Sequence, residues 1–574
     1  MCHQLVAAKT GGGTSKFALN RPLHRIFHAR TRLGTQLGEF AFFHDSLLVF
    51  SAIACTTRIL HEMLVKSRLI CHLIVWNYVM LRSNVSQRAE KLELIQKLFW
   101  ECDFSTQVLN GRLPEDWLQL ADYQEWAPVL YYLNKNLPTD LLLILFVLGR
   151  ACPADVARGV FGAETVSALE EMGFVEDSGP DLLPAVMVQS YGDLLVASDH
   201  RRRRNESDYV MGLSGPTRAL ADLTIRKPAS LAVDIGCGSG LQALLASRHS
   251  ARVLACDVNP RALDFARLNA QLNGIANIDV AEADLFDFAL DRPAELVVCN
   301  PPYVISPDHS QAYRDSGREE DGVCAHLAGL LPRLLSMGGT AQFLANWAVH
   351  KGGTWPQRLG QWFAGSGCHV SILHEVTESP ADYTIKWLRQ SDPHALAADQ
   401  PAFARWMGYF DRREISGIAY GLVTIQRTGG AASFAIDEAP DHYIMPCGDA
   451  LAAFLARKRR LRALDGDLLD LRLRRASNMR LVQSAHFHNG QWIAGQVRAS
   501  LADGLRWSED LGPESARLFE LIDGQKTLGA LLGDILEEED PPAARTLFRT
   551  VVTAIEKGLL TIADTAWDEE NEMP

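Results

Sequence analysis

Three glycines at alternate positions, Gly236, Gly238 and Gly240, follow a short apolar segment that begins at Leu231. Glycine accepts positive φ angles and lets the backbone approach a ligand closely. We therefore interpret 231–235 as a buried strand that ends in a tight turn beneath a bound molecule, before a helix begins. This spacing alone is a weak signal for a cofactor site, so its meaning depends on the motifs that come later in the chain.

Acidic residues follow the next two predicted strands. The segment 252–256 ends in Asp257, which lies 17 residues after Gly240. An acidic residue near that distance meets ribose hydroxyls in doubly wound nucleotide-binding folds. A third strand, 278–282, is followed by Asp284. The carboxyl ends of parallel strands lie at one edge of a sheet, so these acids are expected beside the glycine turn.

The fourth predicted strand, 294–299, ends in Asn300-Pro301-Pro302-Tyr303. With these four motifs in order, the chain resembles the class I S-adenosylmethionine-dependent methyltransferases that methylate a planar amino nitrogen. That group includes adenine-N6 and guanine-N2 nucleic-acid methyltransferases and release-factor glutamine-N5 methyltransferases. The resemblance covers roughly 205–427, and it implies S-adenosylmethionine as the cofactor.

The resemblance also assigns roles at the cofactor site. Asp234 is expected to hold the turn and face the amino-acid end of the cofactor, and Asp257 to accept the ribose hydroxyls. Asp284, with Leu285, is expected to contact the adenine edge. The full set of expected cofactor contacts is Asp234, Gly236, Cys237, Gly238, Gly240, Asp257, Val258, Asp284, Leu285 and Asn300.

The Asn-Pro-Pro-Tyr motif carries the expected catalysis, with Asn300, Pro301, Pro302 and Tyr303 as the catalytic residues. The lone pair of an aromatic or amide NH₂ is delocalised, so the nitrogen is a poor nucleophile. The Asn300 side-chain oxygen and the Pro301 carbonyl are expected to accept its two hydrogens, while the prolines keep these acceptors aimed. Tyr303 is expected to stack on the planar target. A strong general base is not required, because alkylation makes the departing proton acidic.

Other segments are candidates to surround the substrate. The long polar stretch 306–322 is expected to form a lid, and the basic run 200–204 could contact a phosphate, although most such runs are solvated loops. Four aromatic side chains could line the pocket or equally well belong to the core: Trp347, Trp387, Trp406 and Phe410.

Alternating strands and helices predict an α/β fold with a seven-stranded, doubly wound methyltransferase sheet that resembles the Rossmann fold. The remaining strands are predicted at 339–345, 368–375 and 417–426, with helices at about 240–249, 260–273, 320–335 and 355–364. Helical, winged-helix-like modules are expected on both sides of this sheet. The predicted regions are an extension that is poorly ordered or dispensable (1–85), an acidic winged-helix-like domain (86–200), the catalytic domain (205–427), a C-terminal helical domain (434–567) and an acidic tail (568–574).

Composition narrows the class of protein and its partners. The 574 residues are 47% hydrophobic and 22% charged, which is typical of a globular chain. The net charge is −13, and 86–200 carries 7 Lys/Arg against 18 Asp/Glu, so this region is expected to repel nucleic acid and could dock a basic protein. The stretch 454–480, with 9 Lys/Arg against 3 Asp/Glu, is the better candidate for RNA or DNA contact, although a solvated basic helix face explains it equally simply.

Eleven scattered cysteines without a Cys-x-x-Cys pair predict reduced thiols, no metal site and a cytoplasmic location, and no apolar run is long enough for a membrane span. We expect an enzyme that transfers a methyl group from S-adenosylmethionine to an amino nitrogen of a nucleic-acid base, RNA ahead of DNA. The alternatives are a protein glutamine amide, a small-molecule amine and a catalytically silent cofactor sensor. These stay open because the motif recognises a planar NH₂ and not the molecule that carries it. The oligomeric state stays open as well.

Overall fold

The computed structural model describes residues 85–113, 117, 126–308, 317–391, 400–440, 446–464, 468–536 and 541–563. The extension predicted at 1–85 lies outside the described residues apart from its last position, and so does the acidic tail at 568–574. All described residues fall within one unit, Ser83–Pro574. The predicted domain boundaries inside that unit stay predictions.

Helices dominate the first part of the unit, together with short strands. The helices are α1 (Val85–Glu101), α2 (Thr106–Arg112), α3 (Trp126–Tyr131), α4 (Pro138–Leu142, continued by a π-turn over Leu143–Val147), α5 (Ala154–Phe161) and α6 (Ala163–Glu171). The strands are β1 (Cys152–Pro153), β2 (Val175–Asp177), β3 (Asp181–Pro184), β4 (Val186–Tyr191) and β5 (Leu194–Asp199). The predicted wing is divided: β1, β3 and β2 form one small sheet, whereas β4 and β5 form a separate hairpin.

The central part alternates strands with helices, as the sequence predicted. Its helices are α7 (Gly215–Leu223), α8 (Leu241–Ala246), α9 (Pro260–Leu272), α10 (Gly322–Leu334), α11 (Trp355–Trp362), α12 (Pro380–Ser391) and α13 (Gln400–Arg412). Its strands are β6 (Ala232–Ile235), β7 (Val253–Asp257), β8 (Ile278–Glu282), β9 (Ala294–Cys299), β10 (Leu335–His350), β11 (Cys368–Glu378), β12 (Ile415–Arg427) and β13 (Ser433–Glu438).

These strands form one sheet in the order β8-β7-β6-β9-β10-β12-β11-β13. Neighbouring strands are parallel except where β12 pairs antiparallel with β10 and β11. The chain moves outward from β6 to β8 and then returns to the other side of β6 with β9, so a topological switch point lies between β6 and β9. The doubly wound fold is confirmed, with the eighth strand β13 added at the edge beyond the seven expected.

The hairpin β4–β5 is fastened to the helix α9 of the central part. The buried Asn269 side chain donates to the carbonyl oxygens of Ala197 and Ser239, both at 2.8 Å, and accepts from the Ala197 N–H at 2.8 Å. Asn273 makes the equivalent pair of bonds with Leu195, at 2.9 and 2.7 Å. Because β5 and α9 share these satisfied polar contacts, the hairpin is fixed beside the carboxyl end of the sheet.

The last part combines α14 (Gly448–Ala463), β14 (Leu473–Arg475), β15 (Met479–His488), β16 (Gln491–Leu501), β17 (Ser508–Leu511), α15 (Pro513–Leu521), α16 (Leu528–Ile535), α17 (Pro541–Lys557) and β18 (Leu560–Ile562). The three helices α15 to α17 are followed by the short strand β18. The hairpin β15–β16 was not predicted. On α14, Lys458 is bound to Asp437 and the Arg457 Nε donates to the Glu556 carbonyl at 3.0 Å, so part of the basic stretch faces inward. In the part of the chain that the structure describes, no helix is both long and apolar enough to cross a bilayer.

Candidate active site

The predicted motifs lie next to one another at the carboxyl ends of three neighbouring strands. In the sheet register, Ile235 of β6 pairs with Cys256 of β7 on one side and with Cys299 of β9 on the other. The next residues along these strands are Gly236, Asp257 and Asn300. The glycine turn, the acid and the amide therefore stand side by side at the switch point, as the sequence predicted from the strand order.

The glycine turn has the backbone conformation that the sequence predicted. The φ angles of Gly236, Gly238 and Gly240 are 71°, 52° and 87°, a region that side chains with a Cβ rarely adopt. No described atom lies within 4 Å of where a Cβ would stand at Gly236 or Gly238, whereas at Gly240 it would stand 3.3 Å from Ala266 on α9. The first two glycines therefore leave open space above the turn, and the third allows close helix packing.

Asp257 is tied to that turn. Its two carboxylate oxygens accept the backbone N–H of Gly238 and of Asn259, each at 2.9 Å. Burial raises the pKa of Asp257, and these N–H donors act in the opposite direction. The carboxylate retains acceptor capacity beyond these bonds, as contact with ribose hydroxyls requires. The adjacent Val258 is 59% exposed, which is unusual for an apolar side chain beside a buried acid and suits a site that a ligand covers.

Asp234 lies deeper, only 2% exposed, on β6. Its carboxylate accepts the Ala243 N–H at 3.0 Å, close to the start of α8. Burial raises its pKa to about 7, and the charge of Asp257 adds to the effect. Because this hydrogen bond joins β6 to α8, Asp234 stabilises the glycine turn that connects them.

Two further residues that were predicted to contact the cofactor, Cys237 and Asp284, make local backbone contacts. The Cys237 thiol is buried and its pKa is raised by that burial, while its backbone N–H donates to the Cys256 carbonyl at 2.8 Å. Asp284 is exposed and accepts the Phe286 N–H at 2.9 Å, which caps a 3₁₀ turn. Among the described residues, no group of three or more His, Cys, Asp or Glu side chains is placed to hold a metal ion.

Asn300 is oriented by α7. Its side-chain Nδ2 donates to the Thr217 Oγ1 at 3.5 Å, and Thr217 Oγ1 lies 2.8 Å from the Ser214 Oγ. With the NH₂ end of the amide directed at Thr217, the Asn300 Oδ1 is the end left to accept hydrogen bonds. Tyr303 is 8% exposed, and burial raises its pKa above the ordinary tyrosine value, so the phenol stays protonated.

A cavity of about 360 Å³ opens at this motif. Of the predicted site residues, Asn300, Pro301 and Tyr303 line it, whereas the glycine turn, Asp257 and Asp284 do not. The walls are completed by residues from the β4–β5 hairpin, the segment before α7 and the helix α12. The polar, charged and aromatic side chains of these walls include Gln189, Asp199, Arg201, Arg204, Arg218 and Trp387.

The loop that contains the Asn-Pro-Pro-Tyr motif is stabilised by Tyr383, which was not predicted from the sequence. The hydroxyl of Tyr383, a fully buried residue on α12, accepts the Ile305 N–H at 2.9 Å and the Asn346 Nδ2–H at 3.2 Å. One turn further along α12, Trp387 reaches the cavity, while the other aromatic candidates, Trp347, Trp406 and Phe410, are buried in the core. The predicted lid over 306–322 lies in part outside the described residues.

The chain resembles known methyltransferases over this part. Residues 215–314 match the family model described as methyltransferase small domain. The release factor glutamine methyltransferase of Chlamydia trachomatis serovar L2 is 39% identical over 84 residues, which is 14% of this chain and 28% of that protein. The tRNA1(Val) (adenine(37)-N6)-methyltransferase of Vibrio campbellii is 35% identical over 124 residues, 20% of this chain and 51% of that protein.

These matches are partial, since the chain spans about a quarter of the first relative and about half of the second. Among solved structures, a ribosomal protein L11 methylase from Lactobacillus delbrueckii subsp. bulgaricus is 19% identical, covers 38% of this chain and 81% of that chain, and has a TM-score of 0.22. The overall similarity to that structure is low, so the fold assignment rests on the strand order described above.

Proposed function

We propose, from the premise that residues 215–314 match the methyltransferase small domain family, that this protein is an S-adenosylmethionine-dependent N-methyltransferase. Its acceptor in this proposal is a planar amino nitrogen of a nucleic-acid base, RNA ahead of DNA. The observation that supports it most is the meeting of Asn300, Pro301 and Tyr303 at one cavity, directly beside the glycine turn.

The residues at the sheet edge suit the cofactor. Open space above Gly236 and Gly238 admits a ligand close to the backbone, and Asp257 presents acceptor positions to a ribose. The exposed Val258 offers an apolar surface beside that acid. S-adenosylmethionine, when bound, supplies the activated methyl group.

The cavity suits a planar acceptor. The aromatic side chains of Tyr209, Tyr303 and Trp387 line it together with apolar residues, and a flat ring system inserts well between such walls. The Asn300 Oδ1 and the Pro301 carbonyl then accept the two N–H groups, which turns the nitrogen lone pair outward. These acceptors are preorganised, because the two prolines of the motif restrict the loop and a threonine of α7 orients the amide.

Proton removal does not call for a titrating base in the cavity. Asp199 is the one carboxylate among the described residues that line it, and Arg261 already binds both of its oxygens. Tyr303 stays protonated. The proton that leaves the alkylated nitrogen is acidic and is released to solvent water.

The variant Asn300→Ala tests the catalytic assignment. Loss of one aimed acceptor is expected to lower turnover by about 10² to 10³-fold, while affinity for S-adenosylhomocysteine changes little. Calorimetric titration with S-adenosylhomocysteine and transfer of labelled methyl to cellular RNA measure the two properties. The matched variant Asp257→Ala should show the converse loss of cofactor affinity. Equal loss of both properties in Asn300→Ala would mean that the residue is structural.

A second candidate is methylation of a protein glutamine amide. It is favoured by the 39% identity to a release factor glutamine methyltransferase and by the acidic 86–200 region, which would suit a basic protein. The same acceptors serve either an amide or a base, so only the molecule that receives the methyl group distinguishes the two candidate functions.

A further inference from the structure

The cavity at the Asn-Pro-Pro-Tyr motif carries three arginines that the proposed transfer chemistry does not use. Arg201 and Arg204 come from the basic run after β5, and Arg218 comes from α7, so separate segments converge on the same space. The net charge of the chain is −13, and its 86–200 region is strongly acidic. A cationic cluster in such an acidic protein indicates that these positive charges have a function at this cavity.

The acid nearest to these arginines is already neutralised. Asp199 is 1% exposed, its two oxygens lie 2.9 Å from the Arg261 Nε, and its Oδ1 also lies 2.6 Å from the Arg261 Nη2. Arg203 approaches the same carboxylate at 3.4 Å. Because Arg261 binds this carboxylate and Arg203 also pairs with Glu206 and Asp208, Asp199 does not offset the three arginines that line the cavity.

Backbone carbonyls hold the three arginines at their places. The Nη1 of Arg204 donates to the Gln390 carbonyl at 2.5 Å, that of Arg201 to the Val147 carbonyl at 2.9 Å, and that of Arg218 to the Ser190 carbonyl at 3.5 Å. The planar guanidinium fork matches the oxygens of a phosphate, and these carbonyl contacts position each fork at the cavity wall.

We propose that this wall of the cavity binds a phosphate group of the acceptor strand, with Arg204 as the main contact and Arg201 and Arg218 beside it. The inference rests on the proposed function and narrows it: the acceptor enters as a nucleotide, its base against Asn300 and Tyr303 and its phosphate against the arginines. A glutamine side chain brings no charge and would leave this positive wall without a partner. Phosphate contacts fix the position of a strand, whereas the base is read elsewhere.

Binding of a short RNA measures this directly. We would titrate a fluorescently labelled single-stranded octanucleotide by anisotropy at several salt concentrations, with S-adenosylhomocysteine saturating so that the cofactor side is filled. Arg204→Gln is expected to weaken binding about tenfold and to lower the slope of log affinity against log salt by about 0.7, the value for one phosphate contact on a single strand. Arg204→Lys should keep most of the slope, since it retains the charge.

The matched control is Arg202→Gln, which changes the same run at a position that pairs with Glu176 outside the cavity. It should leave both affinity and slope unchanged. Retained S-adenosylhomocysteine binding shows in each case that the variant is folded. Equal affinity and slope for Arg204→Gln and the wild type, or an equal loss in Arg202→Gln, would overturn the phosphate site.

Failure of this inference is distinguishable from failure of the proposed function. If labelled methyl enters RNA but Arg204→Gln binds the strand as the wild type does, only the phosphate site is wrong. If the wild-type protein neither binds nor methylates RNA, the nucleic-acid acceptor is wrong and the phosphate site falls with it.

Discussion

At the scale of single residues, Thr217 is a hydrogen-bond partner of the Asn300 side-chain amide. The Thr217 hydroxyl accepts from the Asn300 Nδ2 and lies 2.8 Å from the Ser214 Oγ, at the start of α7. With its NH₂ end directed at Thr217, the amide leaves its Oδ1 to accept hydrogen bonds. The Asn300 side chain, the proposed hydrogen-bond acceptor, is therefore contacted by a residue 83 positions earlier in the chain.

Thr217→Val should lower kcat by about tenfold, because the loss of one orienting hydrogen bond is worth roughly 1.4 kcal/mol. Cofactor affinity should not change, as Thr217 does not contact the glycine turn in the structure described. Thr217→Ser keeps the hydroxyl and is the matched control. Steady-state methylation with both variants checks this, and an unchanged kcat in Thr217→Val would show that Asn300 is oriented by other contacts.

Asp234 gives a second prediction at this scale, on stability. Its pKa is raised to about 7 by burial, against roughly 3.9 in an unfolded chain. Between these values the folded state binds more protons than the unfolded state, so the free energy of unfolding falls as pH rises from about 4 to 7 and is level above that. The loss should be on the order of 2 kcal/mol between about pH 5.5 and 7.5.

Asp234→Asn removes this dependence while it keeps an acceptor for the Ala243 N–H. Thermal unfolding of the ligand-free proteins at about pH 5.5, 6.5 and 7.5 measures the difference. The wild type should lose stability relative to Asp234→Asn as pH rises. Parallel curves for the two proteins would mean that Asp234 titrates near its ordinary value.

At the scale of elements, the helix α12 supports the reactive loop and also supplies a wall of the cavity. Tyr383 binds the Ile305 N–H just after the Asn-Pro-Pro-Tyr motif, and Trp387 lines the cavity one turn later. Tyr383 also receives a hydrogen bond from Asn346 of β10. The insert between β11 and β12 thus lines the cavity of the candidate active site.

Tyr383→Phe should cost about 1–3 kcal/mol of unfolding free energy, because it leaves the buried Ile305 N–H and the Asn346 side chain without an acceptor. Turnover should fall as well, while S-adenosylhomocysteine affinity stays close to that of the wild type. Denaturant unfolding and methylation kinetics measure these two effects. A variant as stable and as active as the wild type would contradict the supporting role.

The elements that the sequence predicted well are those whose signals are local. The strand 294–299 was predicted with the bounds that the structure has, and the helix predicted at 260–273 differs from α9 by one residue, because apolar runs and an Asn-Pro start indicate them. β10 is longer than predicted, Leu335–His350 instead of 339–345, because its pairing with β12 continues to His350 and a pairing of Leu335 with Ala294 of β9 adds residues at its start.

The cavity walls could not be predicted in the same way. Gln189, Arg204 and Trp387 come from the β4–β5 hairpin, the turn after it and an insert far along the chain, and only tertiary packing brings them together. The sequence held two signals: the basic run at 200–204, for which a phosphate contact was among the interpretations, and Trp387, one of four aromatic candidates for the pocket. Arg218, which lines the same wall, carried no signal at all.

At the scale of the whole molecule, the last part of the unit is joined to the central part by a close backbone contact. A Cβ placed on Gly448, at the start of α14, would stand 2.1 Å from the Thr224 carbonyl oxygen that follows α7. Further along α14, Phe454 packs on Trp507 within a core that also contains residues of β6 and β9. The helix α14 therefore shares a hydrophobic core with the sheet.

Gly448→Ala should disrupt the contact between α14 and Thr224, because the added methyl group cannot fit without a backbone shift. We expect a loss of several degrees in Tm and earlier proteolysis within α14 to β16. Gly533→Ala, on α16, is the matched control, since no described atom lies within 4 Å of its added Cβ. Limited proteolysis followed by mass spectrometry locates the first cuts, and equal behaviour of the two variants would contradict the shared core.

The measurement that tests the central claim most directly is the destination of the methyl group. Labelled S-adenosylmethionine is incubated with wild-type protein or Asn300→Ala and an extract from cells that lack this protein, and the products are digested separately with nuclease and with protease. We expect label that nuclease releases, present with the wild type and absent with Asn300→Ala. Label that only protease releases would contradict the nucleic-acid acceptor and establish the protein amide in its place.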